Sequence, residues 1–136
     1  MLNFGFVGLL DRLCCTVEYS LGFTALGLVR GVSKDLCADP SRYRTGQRFC
    51  WWGFTSCSVK GAVAKEFGIG SGGKGTIFSI KCAIGKDITE YSSYPGEAEV
   101  LIQPGTTFEV ESCVTGANKL NFITLRHVTD VHFRVM

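Results

Sequence analysis

The sequence predicts an α+β domain, and three observations predict it. The 136 residues are 46% hydrophobic and only 19% charged, enough apolar material to bury a core without staples. Apolar runs of strand length crowd the C-terminal half, whereas helical spacing is confined to two segments. Seventeen glycines against three prolines punctuate the chain without marking a linker or an internal repeat. One domain over residues 1–136 is expected, with a short N-terminal helical segment.

Taken in order, residues 1–26 carry Phe6, Leu9, Leu10, Leu13 and Val17 at rough helical spacing and predict a helix. Gly27–Val32 reads as a short strand that sets Arg30 among Leu28, Val29 and Val32. Ser33–Arg48 is polar, contains Asp39-Pro40, and reads as a loop. Cys50–Ser58 places aromatic bulk before small hydroxyl residues, which suits a strand end packed on one side. Val59–Phe67 has Val59, Val63 and Phe67 on one helical face, with Ser58 as N-cap and Gly68 as stop. Gly68–Gly75 holds five glycines. No Lys-Ser/Thr follows them and no helix opens after them, so the segment is a connection and not a phosphate loop. Strands are expected at Thr76–Cys82, Ala98–Gln103, Thr107–Cys113, Leu120–Val128 and Thr129–Val135, with Pro104-Gly105 turning the chain between the second and third.

The net charge of +2 argues against a general nucleic-acid binder. No apolar run reaches the roughly 18 residues that span a bilayer, and Met1–Leu10 lacks the basic flank of a signal peptide. The total hides two opposed blocks. Residues 30–86 hold ten Lys/Arg against three Asp/Glu, and residues 87–111 hold six acids and no base. Such a division fits an anionic ligand beside a cationic one, or merely two solvated faces. The seven cysteines form no CxxC pair and only two histidines accompany them, so no metal site is expected. An odd count without a secretory signal fits free thiols in a reducing compartment; one or two disulfides in an exported form is the alternative.

Three elements carry chemistry. Arg30 lies in an apolar strand, where a guanidinium must meet a carboxylate or a phosphate. Phe54-Thr55-Ser56-Cys57-Ser58 offers hydroxyls at a strand end. Tyr94-Pro95-Gly96-Glu97-Ala98-Glu99-Val100-Leu101 delivers a turn into a strand. Strand alternation would set Glu97 and Glu99 on one face with Cα atoms about 6.5–7 Å apart. Like charges so placed are costly unless a cation uses them, although acids on an exposed strand edge also discourage edge pairing.

In this order the three elements resemble the arginine–serine–glutamate class of mono-ADP-ribosyltransferases, which includes binary-toxin catalytic domains and vertebrate ecto-transferases. The resemblance runs from about Gly27 to Leu125. It implies a mixed, mainly antiparallel two-sheet β core with a few short helices, NAD+ as co-substrate, and no metal. It implies that Arg30 holds the NAD+ phosphates, that the Gly31 backbone binds the nicotinamide carboxamide, and that Ser56 orients the catalytic Glu99. Ser58 would line the same site, and Cys57 stands where the family has Thr or Ser. Phe67, eleven residues after Ser56, would pack on nicotinamide, or serve the core as its helical spacing also allows. Glu97 and Tyr94 would recognise an arginine exposed on an acceptor protein. The implied activity is transfer of ADP-ribose from NAD+ to arginine by a monomer, with NAD+ hydrolysis at the same site, or an inactive NAD-binding module, as alternatives.

Overall fold

The computed structural model describes residues 26–68, 74–82, 85–116 and 119–128. The helix expected over residues 1–26 lies outside them except for Leu26, which begins a strand instead, and the strand over Thr129–Val135 and residues 69–73 of the glycine-rich connection lie outside them too. Among the described residues eight strands follow one another: β1 (Leu26–Val32), β2 (Arg48–Trp51), β3 (Thr55–Ser58), β4 (Thr76–Cys82), β5 (Lys86–Asp87), β6 (Glu99–Ile102), β7 (Thr106–Thr115) and β8 (Asn121–His127). One helix, α1 (Gly61–Gly68), separates β3 from β4, and two 3-10 turns, Thr89–Tyr91 and Pro95–Glu97, separate β5 from β6.

The expectation of two sheets is corrected. The strands form one hydrogen-bonded sheet in the order β2-β7-β8-β4-β1-β3-β6-β5. It is mixed: β4 and β8 run parallel, and the other neighbouring pairs run antiparallel. Strand β1 spends its length on β4, from Leu26↔Cys82 to Val32↔Thr76. It touches β3 in register only at Val29↔Ser58, because β3 turns away to pair with β6 along all four of its residues. The two halves are therefore joined by hydrogen bonds beside Arg30, and they also share one core cluster.

Alternation along the strands builds the core. Phe108 and Val110 of β7, Ile123 and Leu125 of β8, and Phe78 and Ile80 of β4 point to one face and cluster with Leu28, Val100 and Ile102. On the other face Ala64 of α1 packs with Ile77, Leu120 and Val29, so β1 and β4 are covered on both sides. Tyr43, Phe49, Trp51, Phe78 and Phe108 pack as an aromatic cluster with centroids 5.0–6.0 Å apart, mostly edge-on or tilted. Thus β2 ends in the aromatic pack that the sequence placed at the head of a longer strand. Residues 52–54 break that strand before β3 begins.

The opposed charge blocks partly cancel across the sheet. Glu109 accepts from Arg48 at 3.2 Å and Arg126 at 2.9 Å, and Glu111 accepts from Lys81 at 2.8 Å. These pairs are exposed and contribute little to stability. Arg30, Glu97 and Glu99 take part in no ion pair among the described residues.

Candidate active site

The join between β1, β3 and β6 positions the charged residues that the surface pairs leave out. Arg30 shares strand parity with Leu28, which is buried in the core, and lies opposite Phe78. Its Nη1 donates to the backbone oxygen of Ser56 at 2.7 Å. No carboxylate among the described residues meets Arg30, so its remaining N–H groups are available to an anion. Beside it opens a cavity of about 310 Å³, walled by Leu36, Tyr43, Trp51, Trp52, Gly53 and Phe78. Gly31 lies one residue on, opposite Ile77.

Ser56 connects Arg30 to Glu99. Its hydroxyl donates to Glu99 Oε2 at 3.2 Å, while its carbonyl accepts from Arg30. Register explains the meeting: β3 and β6 run antiparallel with Ser58 opposite Glu99, which puts Ser56 two residues along on the same face. Glu99 is only 1% exposed, and a second hydroxyl, Ser92 Oγ, donates to its Oε1 at 3.2 Å. Burial raises its carboxyl above the ordinary range; the adjacent Glu97 carboxyl adds to the rise, and the Ser92 and Ser56 hydroxyls oppose it.

Glu97 does not sit in the strand, which corrects the alternation expected for the pair. It closes the 3-10 turn Pro95–Glu97, and Ala98 follows in left-handed geometry at φ 48°, ψ 57°. Strand β6 begins only at Glu99. The Glu97 carboxyl comes within hydrogen-bonding reach of the Glu99 carboxyl, and apart from that neighbour its Oε2 is buried with no donor among the described residues. Such an orphaned acceptor is suited to a donor from outside the chain.

Ser58 does not cap α1 as expected. The helix starts at Gly61, and the Ser58 hydroxyl donates to the Glu97 carbonyl while accepting the Lys60 N–H at 3.0 Å. Lys60 Nζ reaches the Gly96 carbonyl at 2.9 Å, so β3 and its exit hold the glutamate turn from one side. Tyr94, at the head of that turn, is 56% exposed. Phe67 lies on α1, and its side chain is outside the described residues. Cys57 is fully buried in the core cluster. Ser92 is the site residue that sequence reasoning missed: in the run Tyr91-Ser92-Ser93-Tyr94 nothing local distinguishes the hydroxyl that turns inward.

A buried carboxylate held by two hydroxyls, a guanidinium free to bind an anion and a second carboxylate with an orphaned oxygen define a site that can bind an anionic and a cationic group side by side. The family model for "ART: NAD:arginine ADP-ribosyltransferase" matches residues 25–132, and the chain belongs to this family. It is 40% identical over 120 residues to the erythroblast NAD(P)(+)–arginine ADP-ribosyltransferase of Gallus gallus, covering 87% of this chain and 36% of that one. It is 45% identical over 58 residues to the GPI-linked NAD(P)(+)–arginine ADP-ribosyltransferase 1 of Homo sapiens, covering 43% of this chain and 16% of that one. The chain thus spans well under half the length of these relatives. Among solved structures it is similar to the ADP-ribosyltransferase Vis of Vibrio splendidus in complex with agmatine, with a TM-score of 0.62 and 25% identity. That match covers 76% of this chain and 49% of Vis.

Proposed function

We propose that the chain transfers ADP-ribose from NAD+ to the guanidinium of an arginine side chain and releases nicotinamide. The observation that carries this reading is the double role of Ser56, whose backbone oxygen holds Arg30 and whose hydroxyl holds the buried Glu99. Membership of the family supports it, as do the activities named for the chicken and human relatives and the agmatine, itself a guanidinium compound, bound to Vis.

Arg30 neutralises the pyrophosphate through its free N–H groups. The Gly31 backbone and Phe67 hold the nicotinamide end, and Ser56 and Ser58 keep the floor of the site in place. Nicotinamide in NAD+ is already a cationic leaving group and departs neutral, leaving an oxocarbenium-like ribose. Glu99 stabilises that positive charge and accepts a hydrogen bond from a ribose hydroxyl, in a buried setting where its charge acts at short range. An arginine guanidinium, with a pKa above about 12, is a poor nucleophile while fully protonated. Glu97 pairs with it, and the guanidinium's lost proton passes to Glu97 as the new N–C bond forms. Tyr94 offers an exposed aromatic face to the same cation. The acceptor is therefore a protein presenting an exposed arginine.

The test is incubation of the chain with adenylate-labelled NAD+ and agmatine. ADP-ribosyl-agmatine and nicotinamide should appear in step. Glu97→Ala should lower transfer at least about 100-fold while nicotinamide release persists, because water needs no help from a carboxylate that binds guanidinium. Absence of both products from the wild-type chain would sink the proposal, and equal loss of both in the variant would remove Glu97 from acceptor binding.

A further inference from the structure

Of the cysteines whose side chains are described, two lie against each other. Cys37, in the loop 33–47, and Cys113, on β7, bring their sulfurs to 2.7 Å across 76 residues of sequence. A disulfide bond is about 2.05 Å long, so well under an ångström of movement separates contact from bond. Both residues are packed against the main core cluster.

The backbone beside Cys37 is held independently of it. Leu36 N–H donates to Thr76 Oγ1 at 3.2 Å, and the Thr76 hydroxyl donates to the Lys34 carbonyl at 2.8 Å. Asn121 Nδ2 donates to Asp35 Oδ1 at 2.7 Å. Three consecutive residues before Cys37 are thus anchored on β4 and β8, so the thiols face each other without further ordering of the chain.

We propose that Cys37 and Cys113 form a disulfide that clamps the loop 33–47 to the sheet when the chain meets a small-molecule disulfide such as oxidised glutathione. The Cys113 thiolate attacks the oxidant, forms a mixed disulfide and releases one glutathione thiolate. Cys37 then gives its proton to solvent and displaces the second glutathione. The two protein thiols lose two electrons and two protons, and the oxidant becomes two thiols. Burial, with the adjoining Cys113 and Asp35 adding to it, pushes the Cys37 thiol up to about 12, so Cys37 is held as a thiol near neutral pH and must lose its proton in the closing step. Leu36 and Tyr43 of the same loop wall the cavity beside Arg30, so the bond fixes one side of that cavity.

The experiment holds the folded chain in a glutathione buffer dominated by the oxidised form, blocks free thiols with N-ethylmaleimide, and digests it without reduction. A peptide pair linked through Cys37 and Cys113 is expected by mass spectrometry, with a Tm on the order of 10 °C above that of the dithiothreitol-treated chain. Cys37→Ser and Cys113→Ser should each abolish the linked pair and most of the Tm difference. Recovery of both cysteines as maleimide or glutathione adducts from a chain that keeps its native circular dichroism would overturn the proposal. So would a link from either to another cysteine. Should either variant fail to fold, the wild-type peptide map with and without reductant decides alone.

Discussion

At the scale of single residues, the site turns on Ser56 and on the price of keeping Glu99 dry. A carboxylate 1% exposed is held in place by the Ser56 and Ser92 hydroxyls, yet burial and Glu97 raise its pKa. Its proposed work needs the ionised form, so activity should rise with pH through that raised pKa. The acid limb of nicotinamide release should then lie above the roughly 4.3 of an unperturbed glutamate. Glu99→Gln keeps the volume and hydrogen-bonding reach but removes the charge, and nicotinamide release should fall by about 10²–10³-fold. An acid limb at the unperturbed value, or substantial turnover in the variant, would remove Glu99 from its role. That Arg30, Ser56 and Glu99 would come together was legible only from the order of three motifs and their resemblance to a family, since each motif alone reads equally well as an ordinary strand or edge; the hydrogen bonds through Ser56 show that they do meet. Ser92 was not legible, since its contact with Glu99 depends on the path of the 3-10 turns between β5 and β6.

At the scale of elements, the segment 94–99 shows what alternation can and cannot tell. The sequence placed Glu97 and Glu99 at a strand entrance, and β6 does begin there. It could not reveal that Ala98 takes φ 48°, because alanine carries no signature of left-handed backbone; glycine or asparagine is the usual signal. That conformation costs on the order of 1–2 kcal/mol and is held by the tethers from Ser58 and Lys60 to the carbonyls of Glu97 and Gly96. Ala98→Gly should therefore keep both reactions. Ala98→Val puts a β-branched residue where φ is positive, and should reset the turn and separate Glu97 from Glu99. For the valine variant the ratio of agmatine transfer to nicotinamide release should drop at least about tenfold, while the glycine variant keeps the wild-type ratio. Unchanged ratios in both would mean that the left-handed residue does not position Glu97.

At the scale of the whole molecule, local pattern predicted most strands but not how they pair. The parallel contact of β4 with β8 and the single-pair join of β1 to β3 are decided by long-range packing that no window of sequence contains. Strand β2 was read only as the head of a longer strand, and β5, two residues at the outer end of the sheet, is too short to show a period. The folded whole also holds a buried and a half-buried titratable group whose linkage to stability has opposite sign. Glu99 has a raised folded pKa, so the native state binds the extra proton; this favours folding below about 4.3 and is lost as pH rises through the folded value. His127, beside the Phe108 ring with a buried and unpartnered Nδ1, has its pKa lowered by burial. Its native state resists protonation, so its contribution is intact above about 6.5 and is lost as pH falls through the lower folded value. Between pH 4 and 8, Glu99→Gln should therefore match the wild-type Tm at the acid end and exceed it by a widening margin toward neutrality. His127→Phe, which fits the aromatic neighbourhood, should flatten the decline on the acid side without altering the neutral end of the curve. The decisive measurement is the difference in Tm between each variant and wild type as a function of pH. A difference that stays constant across the range would show that neither ionisation is linked to folding, because only a pKa that changes between the folded and unfolded chain can make the gap vary with pH.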